Sequence, residues 1–547
     1  MQIVEDIFDN AQSRKSSVIA VESPLQERIR LLTNLALKTK SAGKKCYLWT
    51  IDEDTFIEIK VDSNRKLTKY IVNDYVSFQT KSQPLDYFHI LQFWKNFNQE
   101  GVFIVDGLLP WLNANHQQVE AEFFLISEWI KSAIINFSFD NSSDEKLMIL
   151  LGVNASLLPE IGASIPVFAQ KLPTEDQIAC YLEAEFSKFT REDCKSIAST
   201  LVGLYIGSIH KIIAATLLEN AFTNLRFIKQ YLLNKKTEIL QKFYGVEFLP
   251  PSSIKLGGYE LMQEAFRKYK LINTPLGKAY NLSLPKGILL VGPPGTGKSH
   301  SAKVCSQIVG LPLIVVDWGH FRSYGNAAEL KLKNLLALAD TINRVILYFD
   351  DLDKGFAGGD DLAMRLAGKL LTWMQERTSD VIVFASANRM EVLPPELTRS
   401  GRFDEIFQID LPNNEERYAI FNIHLARFDN RFVSESESSP YTDSEWRRIL
   451  KATNRCVGAE IQLIVEDAAR STFCKMYSDS VDVPVDELPP MVINLEAILE
   501  ARLRINPLAI READKVEAMR NRAAARAKPS SKVDESKFAL SNVNIYG

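Results

Sequence analysis

The sequence has few cysteines and places them far apart, which excludes two common classes of site. Its six cysteines form no CxxC pair and no short cluster with histidine. Structural zinc sites need ligands at short, regular spacing, and a disulfide framework needs a small, cysteine-dense chain. We therefore expect free thiols, kept in a reducing compartment, at Cys46, Cys180, Cys194, Cys305, Cys456 and Cys474.

Long apolar runs and a strong excess of one charge are also missing. No segment approaches 18 uninterrupted apolar residues, and the N-terminus lacks a basic region followed by an apolar run, so we expect a cytoplasmic protein with no membrane span. Lys and Arg number 64 against 68 Asp and Glu, a net charge of −4. Because proteins that coat nucleic acid are usually basic, this balance disfavours a nucleic-acid partner.

The sequence has 547 residues, which is more than a single hydrophobic core usually organises. Its patterning divides these residues into several segments. Buried-type apolar runs such as Gly101–Asp106 and Lys146–Val153, separated by helical patterns, predict a mainly parallel α/β sheet in the first half. We predict an N-terminal α/β domain at 1–235, a linker at 236–256, a second α/β core at 257–425, a helical region at 426–510 and a charged, flexible tail at 511–547.

Two pairs of segments indicate that the α/β regions are copies of one fold. Val381–Pro394 resembles Leu147–Pro159, and Ile409–Glu416 resembles Gln170–Gln177. Both copies then continue into helical patterns. The alternative is a chance similarity between two α/β units. Because the first half has no glycine-rich phosphate loop, the repeat predicts a degenerate copy there.

The second α/β region contains a phosphate-binding motif. Residues 292–299 read Gly-Pro-Pro-Gly-Thr-Gly-Lys-Ser, which matches G-x-x-x-x-G-K-[ST] between an apolar run and a helical pattern. Glycines let backbone N–H groups turn around phosphate oxygens, and the helix N-terminus adds positive charge. We expect Lys298 to reach the β- and γ-phosphates of a nucleotide and Ser299 to ligate Mg²⁺. The other predicted contacts are Pro294, Gly295, Thr296 and Gly297.

Two carboxylates follow the apolar run that comes directly after Arg344. This run is expected to lie beside the strand of the phosphate loop, so its carboxyl end faces the same site. Asp350 is the candidate Mg²⁺ residue, acting through water, and Asp351 is the candidate general base for an attacking water. For Asp353 we prefer a solvated charge over a role in the site.

Together these motifs resemble those of AAA-type ATPases, which implies a parallel-sheet P-loop core with a helical lid. By this resemblance Asn388 takes the sensor-1 position, which orients the lytic water. Arg399 and Arg402, in the segment Arg-Ser-Gly-Arg-Phe-Asp, would be arginine fingers that reach into a neighbouring subunit's site. A fixed guanidinium can neutralise charge that develops on a γ-phosphate. The resemblance therefore implies an oligomer.

The same resemblance extends to the base and lid of the nucleotide site. The pair Gly257-Gly258 and His424 resemble the adenine pocket of the family, with Gly258 the candidate contact. A packed core histidine is the alternative for His424. Gly458 and Ala459, followed by Glu460, resemble the sensor-2 segment, where the lid backbone approaches the nucleotide.

Three further segments narrow the resemblance to a divergent branch of AAA proteins from cyanobacteria and algal plastids, known as a hypothetical chloroplast open reading frame. These segments are Phe349–Phe356, Leu371–Glu376 and Leu393–Phe407. The resemblance implies a cyanobacterial cytosol or a plastid stroma as the compartment. It is strong over residues 257–507 and weak over 1–235.

Two positions depart from the family pattern. Asp351 stands where the family usually has Glu, and because aspartate is one methylene shorter, hydrolysis is expected to be slow. The pore segment, residues 321–328, keeps only Tyr324-Gly325 of the usual aromatic–aliphatic–Gly loop. Tyr324 therefore either lines a pore or is a surface turn residue.

The sequence thus predicts an ATPase that binds ATP and Mg²⁺ and assembles as a homo-oligomeric ring, a hexamer by resemblance. The N-terminal domain would hold an unidentified protein client, which the ATP cycle moves. The alternative function is an ATP-gated scaffold or switch with little or no hydrolysis.

Overall fold

Two units make up the chain, Met1–Leu232 and Leu233–Gly547, which we call the first and the second unit. The computed structural model describes residues 2–14, 16–75, 88–112, 121–139, 146–155, 157–218, 225–356, 361–399, 401–433, 439–477 and 489–539.

Seven strands of the first unit form one sheet. Their bounds are β1 Val18–Glu22, β2 Lys45–Thr50, β3 Ile57–Val61, β4 Leu67–Ile71, β5 Gly101–Asp106, β6 Lys146–Gly152 and β7 Val167–Ala169. The order is β4-β3-β2-β5-β6-β1-β7, in which β2, β5, β6, β1 and β7 run parallel and β3 and β4 are antiparallel additions. β1, β5 and β6 are buried along nearly their whole length, as expected for parallel strands covered on both faces.

Helices cover both faces of this sheet. Their bounds are α1 Gln2–Arg14, α2 Arg28–Ser41, α3 His89–Asn96, α4 Leu109–Leu112, α5 Ala121–Phe139, α6 Pro159–Gly162, α7 Glu175–Glu185, α8 Arg191–Leu201, α9 Ile206–Leu218 and α10 Leu225–Tyr244, the last of which continues into the second unit. Alternate strand residues enter two cores, one around Trp49 and Trp94 and the other around Leu31 and Ile104.

The second unit also contains a seven-stranded sheet. Its strands are β8 Glu247–Leu249, β9 Gly287–Val291, β10 Leu313–Asp317, β11 Ile346–Asp350, β12 Ile382–Ala387, β13 Glu405–Gln408 and β14 Lys528–Pro529. The order is β14-β13-β9-β12-β11-β10-β8, and every pairing is parallel except that of β8 with β10. The expectation that the strand of the acidic pair lies beside the phosphate-loop strand is wrong, because β12 lies between β11 and β9. The three strands run parallel, so their carboxyl ends still face the same edge of the sheet.

Thirteen described helices belong to the second unit after α10. They are α11 Glu260–Ile272, α12 Pro275–Ala279, α13 Lys298–Val309, α14 Trp318–Ser323, α15 Ala328–Ile342, α16 Leu352–Phe356, α17 Asp361–Glu376, α18 Asn414–Leu425, α19 Asp443–Ala452, α20 Gly458–Met476, α21 Leu495–Leu503, α22 Leu508–Arg511 and α23 Ala513–Ala524. The helices α18 to α21 share a separate core around Trp446 and Ile464, and we call them the helical lid. The lid begins earlier than the predicted residue 426, because Asn413 caps α18 with a capping box closed by Glu416.

One strand order is common to the two sheets. Counted along the chain, the first five parallel strands of each sheet lie in the order second, third, fourth, first, fifth: β2-β5-β6-β1-β7 and β10-β11-β12-β9-β13. The similar segments Leu147–Pro159 and Val381–Pro394 contain the fourth parallel strand of each sheet. The topology thus agrees with the predicted repeat and its degenerate first copy.

The loop after β1 has the same topological position as the phosphate loop of the second unit, since each follows the first parallel strand of its sheet. It contains a buried glutamate. Glu27 is 1% exposed, and its carboxylate accepts hydrogen bonds from the Gly207 N–H at 2.6 Å and from Gln170 Nε2 at 2.8 Å. Arg30 adds an ion pair at 3.3 Å. A Cβ on Gly207 would lie 1.9 Å from the Gln26 carbonyl oxygen, so α9 packs directly against this loop.

The prediction that residues 236–256 form only a linker is wrong, because part of this range belongs to a helix and to a strand. Residues up to Tyr244 continue α10, and Glu247–Leu249 pair with β10 as the edge strand β8. The buried Phe248 explains this placement, because its ring packs under the Lys236 ammonium at 4.4 Å. The proline pair follows this strand and does not interrupt it.

The predicted flexible tail is also wrong for the residues that the structure describes, while residues 540–547 lie outside them. Arg520 forms an ion pair with Asp410, and Lys528 and Pro529 pair with β13 as β14. Phe538 is 7% exposed within the lid core, and its carbonyl accepts a hydrogen bond from Asn414 Nδ2 at 2.6 Å. The charges that suggest a solvated end have partners in distant parts of the chain.

The six cysteines are free thiols, as predicted, and Cys180 and Cys474 are the exposed ones. Within the described ranges, no single helix is long and apolar enough to cross a membrane. Only α8 and α9 reach that composition together, and the chain bends by 120° between them.

Candidate nucleotide-binding site

The phosphate loop connects the buried strand β9 to the helix α13. At Gly292 the loop passes close to the next segment of chain, and a Cβ there would lie 1.8 Å from the Ile409 carbonyl oxygen. Gly295 and Gly297 have φ angles of +79° and +97°, which favour glycine. The backbone conformation of the loop therefore depends on the glycines of the predicted motif.

A cavity of about 620 Å³ opens above this loop and collects most of the predicted residues. It is lined by Pro294, Gly295, Thr296, Gly297, Lys298, Ser299, Asp350, Asp351, Asn388, His424, Gly458 and Ala459. Gly257 and Tyr259 line it as well, whereas Gly258, the predicted contact between them, does not. Gly258 instead backs onto Glu416, whose carboxylate a Cβ would meet at 2.4 Å.

Lys298 is held by its own loop. Its ammonium donates to the carbonyl oxygens of Gly292 and Pro293 at 2.9 and 2.8 Å, and to Asn388 Oδ1 at 2.7 Å. Burial lowers the pKa of Lys298 to about 8, against the opposing pull of the nearby carboxylates, first that of Asp351. The lysine thus lies at the floor of the cavity, 6% exposed, with its charge directed to the loop.

Ser299 and Asp350 bring hard oxygen atoms together. The Ser299 hydroxyl lies 3.1 and 3.3 Å from the two oxygens of the Asp350 carboxylate. Among the described residues no group of three or more His, Cys, Asp or Glu side chains could hold a metal ion. One carboxylate and one hydroxyl fit Mg²⁺, which takes few protein ligands and completes its shell with phosphate oxygens and water.

Two side chains that the sequence reasoning missed fix this carboxylate. The Tyr348 hydroxyl donates to Asp350 Oδ1 at 2.6 Å, and the Ser386 hydroxyl donates to the same oxygen at 2.8 Å. Burial, and then the charge of Asp350, raise the pKa of Tyr348, so the phenol remains a donor. A serine inside the apolar strand Ile382–Ala387 was the one signal in the sequence that could have revealed the contact.

Asp351 begins a left-handed turn after β11, with a φ angle of +47°. Its carboxylate accepts from Asn388 Nδ2 at 3.0 Å through one oxygen and pairs with the Lys354 ammonium at 2.6 Å through the other. The predicted base and the predicted sensor-1 asparagine are therefore in direct contact, and Asn388 also links them to Lys298.

Asp353 is buried rather than solvated, so that expectation is wrong. It is 1% exposed and accepts from the backbone N–H of Asn388 at 3.1 Å and from Arg389 Nε at 3.4 Å. The spacing could not reveal this, because the donors come from the end of β12. Asp353 therefore anchors the segment that carries Asn388.

The opposite end of the cavity is apolar. It is lined by Leu256, Ile420 and Ile423, with His424 beside them. Nδ1 of His424 is buried, and no described residue hydrogen-bonds to it. Burial, and then the nearby Arg427, lower the pKa of His424, which favours the neutral ring. An apolar slot with one unpaired ring nitrogen suits a flat heteroaromatic base.

The lid reaches the phosphate loop through the start of α20. The Ala459 N–H donates to the Gly295 carbonyl oxygen at 3.1 Å. In the first unit the corresponding helix is α9, the third helix after the fifth parallel strand, and there the Gly207 N–H donates to Glu27. In each unit, the backbone N–H of the second residue of this helix therefore donates to the loop that follows the first parallel strand.

Arg399 and Arg402 do not line the cavity of their own chain. Arg399 is exposed, and Arg402 is partly exposed, with Nη1 donating to the Glu396 carbonyl oxygen at 2.7 Å. Tyr324 is partly buried, and the Lys331 ammonium lies 3.4 Å from the centre of its ring.

Comparison with known proteins follows this geometry. Residues 288–411 match the family described as "ATPase family associated with various cellular activities (AAA)". The chain is 29% identical over 307 residues to the "uncharacterized AAA domain-containing protein ycf46" of Pyropia yezoensis, a match that covers 54% of this chain and 61% of that protein, less than two thirds of its length. A protein of the same name from Trieres chinensis is 28% identical over 481 residues, which cover 84% of this chain and 93% of that protein.

Among solved structures, the AAA domain of FIGL-1 is similar, with a TM-score of 0.43 and 19% identity, over 51% of this chain and 92% of that one. The sequence matches confirm the two predicted resemblances, to AAA-type ATPases and to the plastid branch.

Proposed function

We propose that this chain, whose residues 288–411 match the AAA family, binds Mg-ATP above its phosphate loop and hydrolyses it to ADP and phosphate. One observation carries the proposal. The phosphate loop with Lys298, the oxygen pair of Ser299 and Asp350, and the linked pair of Asp351 and Asn388 converge on one cavity of about 620 Å³. A mononucleotide needs a site of about this size, 300–1,000 Å³ for small ligands in general.

Each residue has a distinct role in this proposal. Lys298 and the N–H groups from Gly295 to Ser299 bind the phosphates, and Ser299 and Asp350 hold Mg²⁺, which would neutralise phosphate charge. Asp351 accepts the proton of the water that attacks the γ-phosphorus, and Asn388 orients that water. Gly257 and His424 contact the base, and Gly458 and Ala459 close the lid over the nucleotide.

A second subunit would complete the site. Because Arg399 and Arg402 lie outside their own chain's cavity, we propose that they act on a neighbour's γ-phosphate in a homo-oligomeric ring, a hexamer by resemblance to the family. The first unit would then bind the protein client, in a plastid stroma or a cyanobacterial cytosol.

Turnover is proposed to be slow, because Asp351 is one methylene shorter than the usual glutamate. One observation favours the second candidate function, an ATP-gated scaffold or switch: each Asp351 oxygen already has a partner, Asn388 for one and Lys354 for the other. A base held in this way removes protons less readily.

The experiment that tests the proposal is the steady-state Mg-ATPase rate of the full chain at increasing protein concentration. Lys298→Ala serves as the blank, because it removes the ammonium at the floor of the cavity and should abolish nucleotide binding. A specific rate that rises with concentration is expected if subunits complete each other's sites.

The two candidates give different results. A rate at the blank's level, together with ATP binding that Lys298→Ala abolishes, would favour the scaffold. Unchanged ATP affinity in Lys298→Ala would refute the assignment of the phosphate loop itself.

A further inference from the structure

Lys354 is a cation in the site that no predicted role explains. It lies on the short helix α16, lines the same cavity as Lys298 and Ser299, and pairs with Asp351 at 2.6 Å. The hydrogen bond to Asp351, and then the charge of that carboxylate, raise the pKa of Lys354, so the ammonium is charged at neutral pH. Because it pairs with Asp351, the residue proposed to act on the water that attacks the γ-phosphate, Lys354 lies at the end of the cavity to which the proposed function assigns that phosphate.

The two partners of Asp351 differ in their freedom to move. Asn388 is fixed from three sides, since its N–H donates to the buried Asp353 and its side chain joins Lys298 to Asp351. The Lys354 side chain, in contrast, is 66% exposed, and among the described residues its ion pair is with Asp351. Such an exposed ion pair contributes little to stability, so the lysine can leave it at little cost.

A terminal phosphate is a stronger attractor than this carboxylate. It carries more negative charge and three acceptor oxygens, and an ammonium binds phosphate as a compact charge that can follow it. Lys298 has its ammonium engaged by the Gly292 and Pro293 carbonyl oxygens, whereas Lys354 needs to give up only its pair with Asp351.

We propose that Lys354 is a positioning residue that exchanges one anion for another: it pairs with Asp351 when the cavity holds no γ-phosphate and with the γ-phosphate when ATP is bound. The exchange frees one oxygen of Asp351 for the attacking water only when there is a γ-phosphate to attack. This inference rests on the proposed function, because it requires Mg-ATP in the cavity.

The test compares the affinities of Mg-ADP and Mg-ATPγS for the full chain, measured by calorimetry, in wild type, Lys354→Met and Lys354→Arg. Lys354→Met should weaken ATPγS binding about tenfold, as expected for one lost charge-assisted contact, and leave ADP binding within about twofold. Lys354→Arg keeps the charge and should restore the preference for ATPγS. The matched control is Lys303→Met, an exposed lysine of α13 that does not line the cavity.

Each of the remaining outcomes would refute either the proposed exchange or the function on which it rests. Equal losses for both nucleotides, or no loss for either, would refute a contact with the γ-phosphate. Normal ATPγS binding with faster turnover in Lys354→Met would mean that the lysine only blocks Asp351, which also refutes the exchange. If wild type binds neither nucleotide, the proposed function itself fails.

Discussion

Replacing Glu27 by alanine should open the first unit where its loop meets α9. The carboxylate is 1% exposed and accepts from the Gly207 N–H and from Gln170, so the change leaves two donors without their partner. Each lost hydrogen bond to a charged acceptor costs about 1.5–3 kcal/mol. The Arg30 side chain, 36% exposed, can turn to solvent, so the loss of its ion pair adds little to this cost. We expect a loss of about 3 kcal/mol, close to the cost of breaking a buried ion pair.

Amide hydrogen exchange measures this loss at the site itself. The Gly207 amide should exchange roughly 100-fold faster in Glu27→Ala, since about 1.4 kcal/mol corresponds to a factor of ten. Glu27→Gln keeps the shape of the side chain and one acceptor oxygen, so it should show a smaller increase in the exchange rate of the Gly207 amide. If the alanine variant does not fold, this variant still tests the contact. Glu192→Ala, an exposed position on α8, is the control. Unchanged exchange at Gly207 in Glu27→Ala would refute the reasoning.

Three further variants test the second unit. Arg402→Ala should bind ATP as wild type does and lose about 10³-fold in turnover, and normal hydrolysis would count against a site shared between subunits. Asp351→Glu should raise the hydrolysis rate roughly tenfold, a small part of what a general base contributes, whereas a slower enzyme would mean that the surrounding residues require aspartate. Phe538→Ala should lower the free energy of unfolding by about 3 kcal/mol in urea titrations. Val533→Ala, at a residue 81% exposed, should change it by less than about 0.5 kcal/mol, and equal effects would argue against packing of Phe538 in the lid.

The parts of the site that depend on neighbours in sequence could be predicted from it. The loop from Gly292 to Ser299 is one continuous motif, because phosphate binding needs its glycines, lysine and serine at fixed spacing. The mainly parallel sheet of the first unit could also be anticipated, from its apolar runs. The order of the strands could not, since β12 lies where β11 was expected, beside β9.

The parts that depend on contacts between distant segments could not. The Asp350 carboxylate is held by Ser386 from another strand, and Asp353 is buried by the backbone of Asn388, so neither environment follows from local composition. The same limit explains the error over residues 513–539. A charged, alanine-rich segment is typical of a solvated end, and only the fold shows that Arg520 meets Asp410 across 110 residues.

The strand β14 has a consequence for the order in which the second unit can be completed during synthesis. β13 is the second strand of its sheet, and its outer side is covered by the edge strand β14, Lys528 and Pro529, which leave the ribosome about 120 residues after β13. Until then β13 presents unpaired backbone groups, the kind of edge on which chains aggregate. Proteins shortened before residue 528 would keep that edge exposed permanently, so soluble expression of the second unit should require the segment from Lys528 to Phe538.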